Sequence, residues 1–221
     1  MALGHSPFIT SDGLVFCVDA GNSKSYPGSG TTWFDIGGGG NGNATLGSGV
    51  TYSSSNGGIL VFNGTFPNGQ ATVPLSSFDF RSTNHTIIAA TRYTGVGPNG
   101  RIVTSSISTG GNNWLMGNWG GQVNKYYADG WISNPYGDTA DTSWFIWAAT
   151  GNIGTDTWEL YRNGSIIYSN NGGSAGPYGL TVGGSGESSN AQVGFVFAYN
   201  RVLTSAEILQ HYNIHRGRFG I

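Results

Sequence analysis

Short runs of apolar and aromatic residues recur about every ten residues along this chain. Each is closed off by Gly, Ser, Asn or Thr, and that spacing predicts an antiparallel all-β sandwich. The predicted strands are LVFCVD (14–19), VTYS (50–53), ILVF (59–62), HTIIAATRY (85–93), RIVTSSI (101–107), WLMGNW (114–119), GLTVGG (179–184) and QVGFVFAY (192–199). WFIWAAT (144–150) has no polar alternation and reads as a strand buried on both faces. In WELYRNGSIIYS (158–169) two alternating strands flank Asn163-Gly164, the favoured pair for a type I′ turn because both central residues take positive φ. The stretch from Ala20 to Gly49 is too rich in glycine for regular structure, and Trp33 and Phe34 are expected to pin it to the body.

Only YNRVLTSAEILQHYN (199–213) carries helical punctuation. Thr204 as N-cap and Glu207 three residues on make a capping box, with Leu203 and Ile208 as its hydrophobic staple. Ile208, Leu209 and Tyr212 would share one face, so a short helix lying on the sandwich is expected. HRGRF is expected to leave the helix between His211 and His215. Residues 1–12 read as an N-terminal arm, 13–213 as the domain and 214–221 as a C-terminal tail.

Composition sharpens the picture. The 221 residues suit one domain, and 39 glycines with 9% charged residues would suit disorder were 13% not aromatic, which argues for a packed β fold. Nine Lys and Arg against a net charge of -2 leave HRGR as the one basic cluster. Nucleic-acid and anionic-membrane partners are therefore not expected, since both need many cations. No apolar run approaches about 18 residues, so no membrane-spanning segment is expected. MALGHSPFITSDG lacks the regions of a secretion signal, and the Asn-x-Ser/Thr sequons at Asn43, Asn63, Asn84 and Asn163 read as by-products of composition. Cys17, the single cysteine, reads as a buried thiol.

Candidate chemistry is sparse. Asp138 and Asp141 are the one close carboxylate pair and could hold Ca²⁺ with backbone carbonyls, or simply form a solvated turn. Asp35 with Asn41 and Asn43 is a second candidate of the same kind. His211 and His215 are spaced i, i+4 and could share a metal, but a solvated tail is preferred for them. Beyond Ca²⁺ no cofactor is expected. Glycine matches to dinucleotide and nucleophile-elbow patterns at Gly37–Gly42 and Gly172–Gly176 lack the required strand–turn–helix context. The middle of the chain, 112–138, gathers Trp114, Trp119, Tyr126, Tyr127, Trp131 and Tyr136 among Asn, Gln and Asp. Sugar rings stack on aromatics while amides and carboxylates take the hydroxyls, protein partners use the same residues, and core packing would use them too.

Several segments, in order, resemble concanavalin A-like lectin/glucanase domains of the laminin-G type. LVFCVDAGN resembles their first strand, WFDIGGGGNGNATL their Trp-x-Asp loop and ILVFNGT a Phe-Asp-Gly-Thr strand end with Asn63 in place of Asp. SWFIWAATGNIGTDTWELYRNGSII resembles their Ala-Val-Thr and Leu-Tyr-x-Asn-Gly strands, and GFVFAYNRVLTSAEILQHYN their last strand and helix. The resemblance spans about residues 13–213. It implies an all-β, antiparallel jelly-roll β-sandwich of twelve to fourteen strands with one short C-terminal helix. Glucanases of this fold carry Glu-x-Asp-x-x-Glu on one strand, and nothing here matches, so no enzymatic activity is expected. Phe195-Val196-Phe197 stands where many relatives carry an acidic residue of a rim Ca²⁺ site. GLVFCVDAGNSKSYPGSGTTWFD and the Gly-Arg-Phe-Gly close (Gly217–Gly220) are similar to a subgroup in structural proteins of tailed bacteriophages, including those of cyanobacteria. That resemblance implies a non-enzymatic virion protein, a capsid decoration or a head or tail fibre component. It would be made in the host cytoplasm and held at the virion surface by other capsid or tail proteins, with host glycan binding and homo-oligomers left open. The alternative is a free carbohydrate-binding module for host surface polysaccharide.

Overall fold

In the computed structural model the described residues are 8–39, 42–75, 78–106, 111–139 and 141–221. Two antiparallel sheets face each other. The back sheet runs in the order β13 (Ser165–Asn170), β12 (Thr157–Arg162), β11 (Phe145–Asn152), β7 (His85–Tyr93), β15 (Asn190–Tyr199), β5 (Ile59–Asn63), β4 (Val50–Ser53), and β1 (Leu14–Asp19) pairs with the second half of β15. The front sheet runs β10 (Gln122–Ala128), β9 (Trp114–Trp119), β8 (Val103–Thr104), β14 (Leu180–Val182), β6 (Ala71–Val73), β3 (Ala44–Leu46), β2 (Thr32–Trp33). Among the described residues the fifteen strands exceed the expected twelve to fourteen because several front-sheet strands are two or three residues long. RIVTSSI contributes only Val103–Thr104; Arg101 before them turns its side chain to Glu187 and Asn113.

Strict alternation builds two cores from the central back strands. Ile87, Ala89, Phe145, Trp147, Val196 and Ala198 point between the sheets, while Ile88, Ala90, Ile146, Phe195, Phe197 and Tyr199 point the other way, beneath the helix. That is why WFIWAAT reads as continuously apolar: both of its faces are covered. The β12–β13 hairpin turns at Asn163 (φ 51°) and Gly164 (φ 78°), the two positive dihedrals of a type I′ turn. Trp33 is fully buried, but Phe34 is exposed, so one ring rather than two pins the glycine-rich loop.

The helix, α1, spans Ser205–Phe219 and is longer than expected. Its N-terminus is the predicted capping box: Thr204 Oγ1 accepts from Glu207 N, and Glu207 Oε2 accepts from Thr204 N at 2.8 Å. Arg201 also holds Glu207, and together these push its carboxyl down to about 2. The expected exit between His211 and His215 does not occur. His211 is fully buried and His215 lies 4.4 Å, centroid to centroid, from Phe195, so both rings pack on the back sheet instead of entering solvent. The buried residues of the helix are Ile208, His211 and Phe219, with Tyr212 and His215 part-buried beside them, and Leu209, assigned to this face from the sequence, is exposed. Phe219 settles over Gly194, where an added Cβ would lie 2.4 Å from its ring. Arg218 then clamps the helix end, donating to Asp19 Oδ1 (2.7 Å), Asn56 O (2.7 Å) and Gly58 O. The segment before β1 lies along the same face: Tyr199 Oη donates to Thr10 O, Gln210 Nε2 to Phe8 O, and Arg201 pairs with Asp12.

Candidate functional site: an aromatic cluster on the front sheet

Strand parity divides the aromatic residues of 112–138. On β9, Trp114 and Met116 enter the core, so Trp119, an odd number of residues later, faces out. On β10, Tyr126 and Ala128 face in, which turns Lys125 and Tyr127 out. Trp114 and Tyr126 are wholly buried, edge to face at 5.9 Å, and Tyr126 Oη donates to Thr150 O, so these two are core residues and not contacts. Tyr126 and Tyr127 are adjacent in sequence, and alternation alone separates their roles.

On the outer face the segment after β10 folds back over its own strand. Ile132 N donates to Tyr126 O (3.0 Å), Ser133 Oγ accepts from Tyr126 N (2.9 Å), and Trp131 bridges to Tyr127. This sets Trp131 between two other rings. Its centroid is 5.2 Å from Trp119, tilted by 54°, and 5.1 Å from Tyr127 at 75°. All three are part-exposed. Leu115, buried and outside both cores, pairs with Tyr127 across β9–β10 and faces the same way.

A polar edge completes the cluster. Trp119 Nε1 donates to Glu187 Oε2 at 3.2 Å, and the same carboxylate takes Arg101 Nε at 2.5 Å. Arg101 is buried and also donates to Asn113 Oδ1 at 2.7 Å. Glu187, in what reads as an ordinary Gly/Ser loop, was not a sequence candidate. Its partner Arg101 lies 86 residues away, so no local pattern joins them.

The remaining candidates serve the scaffold. Asp138 receives the Lys125 ammonium at 3.0 Å; that ammonium is fully buried and also donates to Asn134 O, fixing the loop whose tip carries Tyr136, 72% exposed. Asp141 accepts from Ser143 N in a local turn. Asp138 thus already has its cation, and the two aspartates are committed to separate partners. Asp35 accepts from the backbone of Cys17 and Gly37, Asn43 accepts from Asp35 N, and Asn41, His5 and Ile107 lie outside the described residues. No group of three or more His, Cys, Asp or Glu able to hold a metal occurs among the described residues. His211 receives Tyr199 rather than a metal: the hydroxyl gives its one proton to Thr10 O, so His211 Nε2 donates to it at 2.9 Å. Burial, aided by Asp19 and Asp35, pushes the Cys17 thiol up to about 12. The three glutamates bind Tyr161, Arg101 and Arg201 respectively, on separate elements. Ser174, in the glycine-rich elbow match, donates to Asp129 O.

Fold and site together define a helix-backed antiparallel β-sandwich with an aromatic cluster on the sheet away from the helix. No protein-family model matches the sequence, and no curated protein does. Solved structures do. The chain is similar to the binding domain of Paraclostridial Mosquitocidal Protein 1 (TM-score 0.63, 17% identity, covering 92% of this chain and 52% of that one). It is similar to a Trypanosoma rangeli sialidase (TM-score 0.65, 15% identity, 92% and 33%). It is also similar to the receptor binding domain of botulinum neurotoxin type G (TM-score 0.57, 16% identity, 92% and 51%). The chain thus spans about half of each binding domain and a third of the sialidase. At these identities the likeness is one of fold.

Proposed function

We propose that the chain is a non-enzymatic recognition module of a bacteriophage particle, a capsid decoration or a head or tail fibre component at the virion surface, held by neighbouring capsid or tail proteins. The observation that carries the recognition role is the Trp119–Tyr127–Trp131 cluster. Three large rings from two strands and a folded-back loop meet on an outer sheet face, where the core makes no use of them. Aromatic rings gathered with a few fixed polar groups are the usual furniture of a binding surface. Each glutamate is held by its own partner on a separate element, which supports the non-enzymatic reading. Two of the similar solved structures are themselves named a binding domain and a receptor binding domain. The phage setting draws on the sequence resemblance at both ends of the chain. Mass spectrometry of purified virions tests it: the protein is expected at a fixed, stoichiometric copy number per particle. Its absence from particles, with the protein free in the lysate, would replace this reading with that of a free carbohydrate-binding module.

A further inference from the structure

Resting on that reading, we infer that the cluster is a subsite for a neutral pyranose unit, with Glu187 as the acceptor of its hydroxyls. The rings suit a sugar's apolar face: tilted at 54° and 75° to one another, they cannot stack flat among themselves and leave part of each ring to solvent. The polar partner beside them is of one kind. Glu187 forms an ion pair with Arg101, and its carboxylate is pinned by that guanidinium and by the Trp119 indole N–H, yet its side chain stays 51% exposed. A carboxylate can only accept, and offers about four acceptor positions, so it takes donors from a ligand, and the donors of a neutral sugar are its hydroxyls. Because Trp119 donates to Glu187, the stacking ring and the acceptor are fixed as one unit before any ligand arrives.

Charge decides against the anionic ligands that aromatic rings also attract. Arg101 is buried and its charge is spent on Glu187, and Lys125, under the same loop, is spent on Asp138. Asp129, two residues before Trp131, is exposed. Among the described residues, the cations under the cluster, Arg101 and Lys125, are both ion-paired, and the exposed charges beside it, Glu187 and Asp129, are acidic. A uronate, a sulfated sugar or a nucleotide phosphate would meet repulsion, whereas a neutral glycan meets acceptors. Repetition of the module on a particle would multiply a weak single-site affinity.

The test is titration of the full ¹⁵N-labelled chain with neutral gluco-, galacto- and manno-oligosaccharides and with uronate-containing and sulfated counterparts. The indole N–H resonances and isothermal titration calorimetry are the readouts. Neutral sugars are expected to shift the Trp119 and Trp131 indole signals and leave those of buried Trp114 and Trp147 in place. Glu187→Gln should weaken binding about tenfold, a charge-assisted hydrogen bond's worth. Trp131→Ala should abolish binding and Trp131→Phe should retain part of it, with a single cooperative melting transition showing that each variant folds. Acidic sugars binding as well as neutral ones, or Glu187→Gln binding undiminished while Trp131→Ala fails, would overturn the assignment yet leave the recognition module standing. If no oligosaccharide moves either indole signal, the sugar subsite is wrong, and the virion copy number then tests the module by itself.

Discussion

Acidification attacks the helix through its hidden imidazoles. His211 and His215 sit between α1 and the back sheet, facing Phe195, Phe197 and Tyr199 of β15 and, from β1, Asp19; Glu207, Arg216 and Arg218 are the charged groups on their own helix. Burial lowers both from 6.5 to about 4, with His215 adding to the effect on His211. His85, buried between the sheets, is lowered to about 4 by the same cause. The unfolded chain therefore takes up protons below about pH 6.5 that the folded chain refuses, so the stabilisation is complete above that pH and is lost as pH falls toward 4. At pH 5 each histidine costs about 2 kcal/mol, or about 6 kcal/mol for the three, a ceiling because two of them interact. His211 Nδ1 and His215 Nε2 have no hydrogen-bond partner among the described residues, so a proton there gains nothing in the folded state. His215→Leu removes one buried polar atom and one protonation site together. Urea unfolding between pH 7.5 and 5, followed by tryptophan fluorescence, should show the parent losing about 2 kcal/mol more than this variant, or roughly 1 M in midpoint. Parallel losses in the two proteins, or a flat profile in the parent, would refute the reasoning.

Other outcomes follow from packing. Gly194→Ala places a Cβ against the Phe219 ring and should cost about 1–3 kcal/mol in thermal unfolding, recovered in part by Phe219→Leu. Thr204→Ala removes the helix cap and should cost about 1 kcal/mol by urea unfolding. Trp114→Ala empties a core site and should cost about 3–5 kcal/mol, whereas Trp131→Ala, on the outer face, should cost less than half of that in the same assay.

The elements legible in the sequence were those whose signal is local. The Asn-Gly hairpin, the capping box and the double-faced strands β7 and β11 each declare themselves within a dozen residues. The missed strands β2, β3 and β6 are two or three residues long and carry no period. β10 was hidden by Lys125, whose burial depends on an aspartate 13 residues on. The two histidines of α1 read as solvent-facing for the same reason: only Phe195, Phe197 and Tyr199 make their places apolar. In the site, the six rings stood together in the sequence, and the strand pairing of β9 with β10 was needed to send Trp114 and Tyr126 inward and Trp119 and Tyr127 outward. Trp131 and Glu187 depended on a folded-back loop and a distant arginine, and no short window contains either.

The residues before β1 and the helix that ends the chain lie together against the back sheet, through the contacts of Phe8, Thr10 and Asp12 with Gln210, Tyr199 and Arg201. The three rings lie on the opposite side of the sandwich. The two outer faces are thus divided: Phe8 to Asp12 and α1 cover one of them, and Trp119 and Trp131 stand on the other, turned to the solution.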